Sequence, residues 1–462
     1  MELAGRKILV VGLGKTGLAL CRFLTAQGAK VTATDSGAAA DLAPAAAVLA
    51  ELGVPAQVGV ACPADYLAYD GIVLSPGVPP ELPWLQEAQG RGLPIWGDLE
   101  IAAHFFRRPI LAISGTNGKT TTTTLVGELL RASGRRPLVG GNIGTPLVEM
   151  VGSQEEADCL VLEISSFQLD TAPSFHAQAA ALLNISADHL DRYPDLHAYG
   201  RSKAGLFRHQ GPGDVAVLNA DDPLVAGLAE GLASQVYFFS RRQAPAWGAW
   251  QADDRLQLRL RSGLEMEVPL AAIRLQEGHN LENIMAALIL ALTGGATVQA
   301  CREVLARFTG LPHRLEWVAR LDGVDYYDDS KGTNVGAVVR ALEHFARPVV
   351  LIAGGRDKGG EYAPLLPLLR QKVRQVVLVG EAKEIMAAAF WGVVPLAMAD
   401  DMAAAVRLAA AAARPGDVVL LSPACSSFDM FRDYAHRGRV FQEAVKEMSH
   451  GRARSQSSRV GV

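Results

Sequence analysis

The hydrophobic positions of the chain fall into short, nearly uninterrupted runs that alternate with segments of helical spacing. Runs such as ILAIS (110–114) and CLVLE (159–163) are aliphatic and end at glycine or polar residues. Between them, apolar residues recur every three or four positions, as in TTTTLVGELLRA (121–132). Buried strands that alternate with amphipathic helices are typical of a parallel sheet covered by helices. The pattern therefore predicts an α/β fold.

The strands and helices form three successive groups, and 462 residues are too many for a single core. Residues 1–96 predict a Rossmann-like domain. Residues 97–309 predict a central nucleotide-binding domain with a parallel sheet, to which the alternating segment 236–270 adds antiparallel strands. Residues 310–450 predict a second Rossmann-like α/β domain. The polar tail, 451–462, is predicted to be disordered.

Composition excludes several function classes. The net charge of −4 and the lack of a basic stripe give no sign of nucleic-acid binding. No uncharged apolar run is long enough to cross a membrane, and the N-terminus lacks a signal-peptide pattern. We therefore expect a cytoplasmic protein. The five cysteines have neither disulfide nor zinc spacing, which suits a reducing compartment: Cys21, Cys62, Cys159, Cys301 and Cys425.

The clearest chemical signal is PILAISGTNGKTTTTT (109–124), where a strand, a glycine-bounded turn and a helix follow one another. Backbone N–H groups at a helix N-terminus attract phosphate, Lys119 can reach the outer phosphates, and the Thr120 hydroxyl can hold Mg²⁺. The general P-loop motif requires glycine where Ile113 stands. A glycine turn with an exposed lysine is the structural alternative. The context favours an ATP site.

A second glycine motif lies near the N-terminus. GLGKTG (12–17) follows a strand, and Asp35 ends the next one, as in dinucleotide-binding folds. The motif alone predicts a Rossmann-like start, whose ligand is NAD, another nucleotide or none. SPG (75–77) also follows a strand, and it is either a plain turn or a place where backbone N–H groups meet a diphosphate.

Polar residues follow the strands of the central domain, where open α/β sheets bind ligands. Asn142, Glu163, Asn184 and His189 all stand near strand ends. Glu163 is a plausible Mg²⁺ ligand, with a structural ion pair as the alternative. For His189 the alternative is a helix cap or another hydrogen-bonded role. Lys203 has no distinguishing local pattern and would be a solvated surface residue by default.

Three strands of the last domain end in polar or glycine-rich clusters. These are DDSKGTN (328–334), GGRDKG (354–359) and SPACSS (422–427). Because carboxyl ends of parallel strands share one edge, the clusters predict one ligand-binding edge.

These motifs together resemble the Mur ligases over nearly the whole chain. The shared segments are GTNGKTTT with Glu163, NISADHLDRY with Lys203, GHNLENI, TGLPHRLE, DDSKGTN, GGRDKG and LLSPACSSFDMFRDYAHRG. The resemblance implies three α/β domains and an ATP-dependent ligase of peptidoglycan precursor synthesis that works through an acyl phosphate. DSKGTN and SPACSSFD favour the D-glutamate-adding member. Its partners would be UDP-N-acetylmuramoyl-L-alanine, D-glutamate and ATP, and we expect a monomer.

The resemblance also implies site residues. The catalytic set would be Lys119, Glu163, His189 and Lys203. Two Mg²⁺ ions would be held by Thr120 with Glu163, and by His189 with Lys203 as a carbamate. ATP would contact Gly115, Thr116, Asn117, Gly118, Lys119, Thr120, Thr121, Asn280, Asn283, Arg314 and Asp329. The UDP-substrate would contact Lys15, Thr16, Asp35, Ser36, Ser75, Gly77, Asn142 and His189. D-glutamate would contact Thr333, Lys358, Ser427 and Tyr434.

Two competing functions remain open at this point. Folylpolyglutamate synthase shares the phosphate loop and the metal ligands, but it lacks a nucleotide-binding first domain such as residues 6–80. The other is an NAD-binding regulator with a vestigial ATP site.

Overall fold

The computed structural model describes residues 1–142, 145–189, 192–275, 278–357, 359 and 361–457. The chain divides into two compact units. The first comprises Met1–Ile185, His197–Gln276 and Asn280–Phe308, and the second comprises Ser186–Leu196, Glu277–His279 and Thr309–Val462. Two sheets lie in the first unit and one in the second. In the described part of the chain, no helix has both the length and the hydropathy that a membrane span requires.

The first sheet has five parallel strands in the order β3-β2-β1-β4-β5. Strand order reverses beside β1, which opens a crevice at the carboxyl ends of β1 and β4. The strands are β1 (Lys7–Val11), β2 (Lys30–Asp35), β3 (Ala56–Val58), β4 (Gly71–Leu74) and β5 (Ile95–Gly97), and the helices are α1 (Lys15–Ala26), α2 (Ala43–Glu51) and α3 (Pro83–Gly90).

The second sheet has nine strands in the order β14-β13-β12-β11-β10-β9-β6-β8-β7. Its strands are β6 (Ile110–Ser114), β7 (Pro137–Gly141), β8 (Cys159–Glu163), β9 (Ala179–Leu182), β10 (Val215–Asn219), β11 (Gln235–Ser240), β12 (Gly248–Ala252), β13 (Arg255–Arg259) and β14 (Glu265–Pro269). Its helices are α4 (Asp98–Phe105), α5 (Lys119–Ala132), α6 (Leu147–Ser153), α7 (Ser166–Asp170), α8 (Leu196–Ala204), α9 (Pro223–Ala226), α10 (Gly278–Thr293) and α11 (Val298–Arg307).

The antiparallel addition is smaller than the sequence predicts. β13 is antiparallel to both of its neighbours, β12 and β14, but β11 is parallel to both of its neighbours, β10 and β12. Side-chain alternation reports which face of a strand is buried and says nothing about the direction of its neighbour. The assignment of 236–240 to the antiparallel part is therefore wrong.

Helix α10 is apolar on every side along Ile284–Leu292, where each residue is at most 7% exposed. A helix of this kind is stable only when it is surrounded by other elements. It belongs to the same core as the strands and α5, and Asn283 of this helix lies against Gly118, which precedes α5.

The third sheet has six strands in the order β15-β16-β20-β17-β18-β19, of which only β15 is antiparallel. The strands are β15 (Glu316–Leu321), β16 (Val324–Asp328), β17 (Val349–Gly354), β18 (Val373–Val379), β19 (Leu396–Ala399) and β20 (Val418–Ala424). The helices are α12 (Val335–His344), α13 (Leu366–Lys372), α14 (Lys383–Phe390), α15 (Met402–Ala412) and α16 (Tyr434–Ser457).

The predicted α/β class is confirmed, and the described strands form three sheets. The edge strand β19 was not predicted, since LAMA is too short to stand out in an alanine-rich region. Helix α16 covers 451–457, the first part of the tail for which the composition predicts disorder.

Candidate active site

The predicted strand, turn and helix of the phosphate loop are confirmed. β6 ends at Ser114, α5 begins at Lys119, and Gly118 precedes it with a φ of +87°. A Cβ atom on Gly118 would lie 2.1 Å from Oδ1 of Asn283. Only glycine combines this left-handed backbone with so close a neighbour. The first turn of α5, which holds Thr120 and Thr121, presents backbone N–H groups as an anion site.

Two lysines converge on the loop. Nζ of Lys119 donates to the carbonyl oxygens of Gly115 (2.8 Å) and Thr116 (2.9 Å). Nζ of Lys203 donates to the same Gly115 oxygen at 3.0 Å and lies 4.4 Å from the Tyr199 ring centroid. Lys203 is only 1% exposed, so its default interpretation as a solvated surface residue is wrong. Lys119 is half-buried, which also excludes a simple turn with an exposed lysine.

The carboxylate of Glu163 lies at the end of β8 and is 2% exposed. Its Oε1 accepts a hydrogen bond from Nδ2 of Asn142 at 3.0 Å. Within the described residues, its buried Oε2 has no hydrogen-bond partner and the side chain forms no ion pair. A buried carboxylate oxygen without a partner is costly unless a cation completes it. The arrangement suits a divalent ion such as Mg²⁺ and contradicts the structural ion pair.

The two asparagines predicted to lie near adenine are brought to the same loop. Asn283 is 4% exposed and Asn280 is 9% exposed. Nδ2 of Asn283 donates to Oδ1 of Asn280 at 3.3 Å, and Asn283 also borders Gly118, as described above. The packing of α10 in the core therefore places Asn283, and with it Asn280, beside the glycine that precedes α5.

The N-terminal glycine motif forms a tight turn between β1 and α1. A Cβ atom on Gly17 would lie 1.8 Å from the Gly12 carbonyl oxygen, so helix and turn approach as closely as glycine allows. The Ser75 hydroxyl donates to the same oxygen at 2.8 Å. The Asp35 carboxylate accepts the N–H groups of Leu13 (2.7 Å) and Gly37 (2.8 Å). These hydrogen bonds of Asp35 and Ser75 hold the two loops for which the family resemblance predicts contacts with the UDP-substrate. Ser36 and Gly77 lie in the turns after β2 and β4.

A cavity of about 200 Å³ opens beside this turn and brings together residues from two domains of the first unit. It is lined by Lys15 and Thr16 from the glycine turn and by Asn142 from the end of β7. All three were predicted to bind the same substrate. Asp98 and Gln168 also line the cavity, and neither is among the residues predicted to bind the substrate.

Asp98 is a buried carboxylate, 3% exposed, at the start of α4. Burial raises its pKa to about 6, although a hydrogen bond from Nε2 of Gln168 (3.1 Å) acts in the opposite direction. Oε1 of Gln168 in turn accepts the backbone N–H of Ser165 at 3.1 Å, in a capping box that begins α7. A signal for Asp98 was present in the sequence, since an acidic residue opens a helix there, but such residues are usually exposed caps.

In the second unit, the predicted nucleotide residues Asp329 and Arg314 are close enough to interact electrostatically. Burial raises the pKa of Asp329 to about 7, and the charge of Arg314 and a hydrogen bond from Ser422 act to lower it. Oγ of Ser422 lies 2.7 Å from the carboxylate. The hydrogen bond between Ser422 and Asp329 shows that the clusters DDSKGTN and SPACSS meet at one edge of the sheet, as predicted.

The guanidinium of Arg437 joins these two clusters. The side chain is 1% exposed and donates to the Ser330 carbonyl (2.8 Å), the Ser330 hydroxyl (3.0 Å) and the carbonyls of Cys425 and Ser426 (both 3.2 Å). The Ser330 hydroxyl donates to the Tyr434 carbonyl at 2.8 Å. Sequence reasoning missed Arg437 because an arginine on a helix is normally solvated.

Three of the residues predicted to bind D-glutamate lie in the described part of this edge. Ser427 is 2% exposed. The ammonium group of Lys331 lies over the Tyr434 ring, 3.8 Å from the ring centroid. Thr333 lines a cavity of about 330 Å³, together with His189 and Asp357. Lys358 lies outside the described residues. His189 belongs to the second unit, so its pairing with Lys203 at a metal stays a prediction.

His313, Glu316 and Asp328 form the group in the described residues that most resembles a metal site, with ligand atoms all within 4.8 Å of one another. Nδ1 of His313 lies 2.7 Å from Asp328, whose hydrogen bond raises the histidine pKa. Nε2 of Gln442 donates to both carboxylates, at 2.9 and 3.1 Å. These bonds satisfy the group without an ion.

Three family models match successive parts of the chain. They describe a Mur ligase MurD-like N-terminal domain over residues 6–97, a Mur ligase middle domain over 113–291 and a Mur ligase glutamate ligase domain over 313–425. The folds of solved relatives agree. A pseudomurein peptide ligase type C from Methanothermus fervidus has a TM-score of 0.60 at 18% identity, covering 96% of this chain and 100% of its own. The UDP-N-acetylmuramate-alanine ligase MurC from Thermotoga maritima has a TM-score of 0.55 at 18% identity, with the same coverage.

Curated relatives are much more similar in sequence. The chain is 48% identical to a UDP-N-acetylmuramoylalanine–D-glutamate ligase from Geobacter metallireducens over 98% of this chain and 99% of that protein. It is also 48% identical to the protein of the same name from Trichlorobacter lovleyi, over 97% and 100%. Similarity at this level and over the full length does not depend on any single motif, and the protein is therefore a member of the Mur ligase family.

Proposed function

We propose that this protein is an ATP-dependent ligase that adds D-glutamate to UDP-N-acetylmuramoyl-L-alanine in peptidoglycan precursor synthesis. The observation that carries the proposal is the convergence of Lys119 and Lys203 on the Gly115 carbonyl of the phosphate loop. The names of the full-length relatives supply the substrates. We expect the enzyme to act as a monomer in the cytoplasm.

The chemistry has two steps. The L-alanine carboxylate of the UDP-substrate attacks the γ-phosphorus of ATP, which forms a carboxyl–phosphate bond and releases ADP. The amine of D-glutamate then attacks the acyl carbon, loses a proton and expels inorganic phosphate as the amide forms. Both early reactants are anions, so the first step needs positive charge and fixed positions more than a strong base. Lys119 and the N–H groups that begin α5 supply the charge and the positions.

Mg²⁺, when bound, screens the phosphate charge and orients the reacting oxygens. Glu163 supports a first site, since its buried Oε2 lacks a partner in the described part of the chain, and Thr120 would be its second ligand. His189 and Lys203 would hold the second ion. A neutral Lys203 amine that adds carbon dioxide becomes a carbamate, whose oxygens can bind a metal that an ammonium would repel. The remaining carbamate N–H can still donate to Gly115.

The substrates would lie along the predicted residues. Lys15, Thr16 and Asn142 share a cavity, which supports a continuous path for the UDP-substrate from the glycine turn to the phosphate loop. The nucleotide would lie against Asn280, Asn283, Arg314 and Asp329. D-glutamate would contact Thr333, Lys358, Ser427 and Tyr434.

The decisive experiment measures phosphate release from ATP in the presence of each substrate. Release should require both UDP-N-acetylmuramoyl-L-alanine and D-glutamate, and the product should contain one new amide. Activity with L-glutamate or L-alanine in place of D-glutamate would assign the protein to another branch of the family. No release with any combination would overturn the proposal.

A second measurement separates the proposal from an NAD-binding regulator. A ligand that binds the native state raises the melting temperature. We expect the UDP-substrate to raise it and NADH to leave it unchanged. The match of residues 6–97 to a MurD-like N-terminal domain already disfavours a folylpolyglutamate synthase.

A further inference from the structure

Asn184 follows β9 and lies against the phosphate loop, with 3% of its surface exposed. Its side-chain Oδ1 accepts the backbone N–H of Asn117 at 2.9 Å, and its Nδ2 donates to the Asn117 carbonyl at 3.0 Å. Its backbone carbonyl also accepts the N–H of Thr116 at 2.9 Å. Three hydrogen bonds from one residue therefore hold the two residues at the centre of the loop.

Asn184 is itself firmly held from the other side. The N–H of Leu183 donates to the Ser114 carbonyl at 3.0 Å, and Nδ2 of Asn219 donates to the Leu183 carbonyl at 2.9 Å. The N–H of Ile185 donates to the carboxylate of Asp222 at 2.8 Å. Leu183 is thus fixed to β6 and β10, and Ile185 is fixed to the residue that caps α9. The asparagine between them transmits their position to the loop.

The chemistry of the amide suits this role. A primary amide presents one acceptor and one donor side by side, which complements the N–H and C=O of a single residue. Pairing with both groups of Asn117 restrains the peptide planes on its two sides. Those planes lead directly to Gly118, whose left-handed φ directs the N–H groups at the start of α5 towards a phosphate.

We propose that Asn184 is a positioning residue that sets the conformation of the phosphate loop for ATP. This inference rests on the proposed use of ATP. Asn184 touches no substrate in the scheme above and acts only through Thr116 and Asn117. Sequence reasoning placed it at a strand end but assigned it no function, because an asparagine after a strand is most often an ordinary turn residue.

The test compares Asn184→Ala and Asn184→Asp with the parent enzyme, using steady-state kinetics and titration with a fluorescent ADP analogue. Alanine removes both side-chain hydrogen bonds. Aspartate keeps the shape and the acceptor but places a carboxylate oxygen against the Asn117 carbonyl. We expect both variants to raise the KM for ATP and the Kd of the analogue by about tenfold or more, equivalent to about 1.4 kcal/mol. The KM for D-glutamate should stay unchanged.

Gln210→Ala is the matched control. Gln210 is buried in the same unit, and its Nε2 donates to the carbonyls of Ala177 and Val215, both at 3.0 Å. This variant also loses two hydrogen bonds to backbone but should bind nucleotide normally. Equal losses of nucleotide affinity in Gln210→Ala and the Asn184 variants would overturn the positioning role, and so would parent-like affinity in Asn184→Asp. Failure of the parent to bind ADP or hydrolyse ATP would instead reject the proposed function.

Discussion

The ammonium group of Lys203 lies 3.0 Å from the carbonyl oxygen of Gly115, the residue that opens the phosphate loop. These residues are far apart in the chain, and α8 carries the lysine that reaches the loop. Lys119 donates to the same oxygen. Two basic side chains therefore share one acceptor, although they are proposed to do different chemistry: Lys119 as a cation and Lys203 as a carbamate.

This difference can be tested by chemical rescue. Lys203→Ala should lose activity because it removes the proposed metal ligand, and formate or acetate should restore part of it by supplying a carboxylate. Lys119→Ala, the matched control at the same carbonyl, should lose activity without rescue, since a small carboxylate cannot replace a cation. Phosphate release at increasing carboxylate concentration gives the answer. Full activity of Lys203→Ala without additives would rule out the carbamate.

Glu163→Gln tests the metal site at the end of β8. The amide has the same shape but no charge, so we expect a loss of about 100-fold in kcat and a higher Mg²⁺ concentration for half-maximal activity. Glu100→Gln is a suitable control, because Glu100 is also buried, at 4% exposure, and accepts the N–H of Ser174 at 3.0 Å. A Mg²⁺ titration of both variants decides the matter. An unchanged Mg²⁺ requirement in Glu163→Gln would remove this residue from the metal site.

The raised pKa of Asp98 makes the free energy of unfolding depend on pH. Its folded-state pKa is raised to about 6 by burial, above the unfolded value of 3.8. Between these values the unfolded chain has lost the proton and the folded chain keeps it, so the free energy of unfolding falls as pH rises and stays lower above pH 6. The loss is on the order of 2–3 kcal/mol. Asp98→Asn should abolish this component, as denaturant unfolding at pH 4 and pH 8 would show. An identical pH dependence in parent and variant would contradict the prediction.

Arg437→Lys tests the link between the two clusters of the third sheet. Lysine cannot reproduce the planar set of donors that reaches Ser330, Cys425 and Ser426, so we expect a loss of about 2 kcal/mol in unfolding free energy. The KM for D-glutamate should rise more than the KM for the UDP-substrate, because the loops that carry Ser427 and Tyr434 would shift. Arg374→Lys, at the ion pair with the buried Asp417 in the same unit, is the control and should leave both KM values unchanged. Equal increases in the two KM values would show a merely global effect.

The local pattern was sufficient for the elements that carry the chemistry. A run of buried residues, two glycines and a helical spacing predicted β6, the turn and α5, because backbone geometry at a phosphate loop depends on residues close in sequence. The same holds for the glycine turn after β1. The carboxyl-end rule predicted that Glu163 and the clusters of the last domain stand where their strands end, and Glu163 does end β8.

Contacts between distant segments needed the tertiary structure. The burial of Lys203, Asp98 and Arg437 reverses what their residue types imply, since charged side chains are normally solvated. The pairing of Asn184 with Asn117 joins the loops after β9 and β6. These strands are neighbours in the sheet, but β7 and β8 lie between them in the chain. The direction of β11 relative to its neighbours, β10 and β12, also depends on the path of the chain that connects these strands. The sequence by itself thus determines side-chain chemistry and local backbone preference. The burial of a side chain and the identity of its hydrogen-bond partners are decided only when the core brings remote segments together.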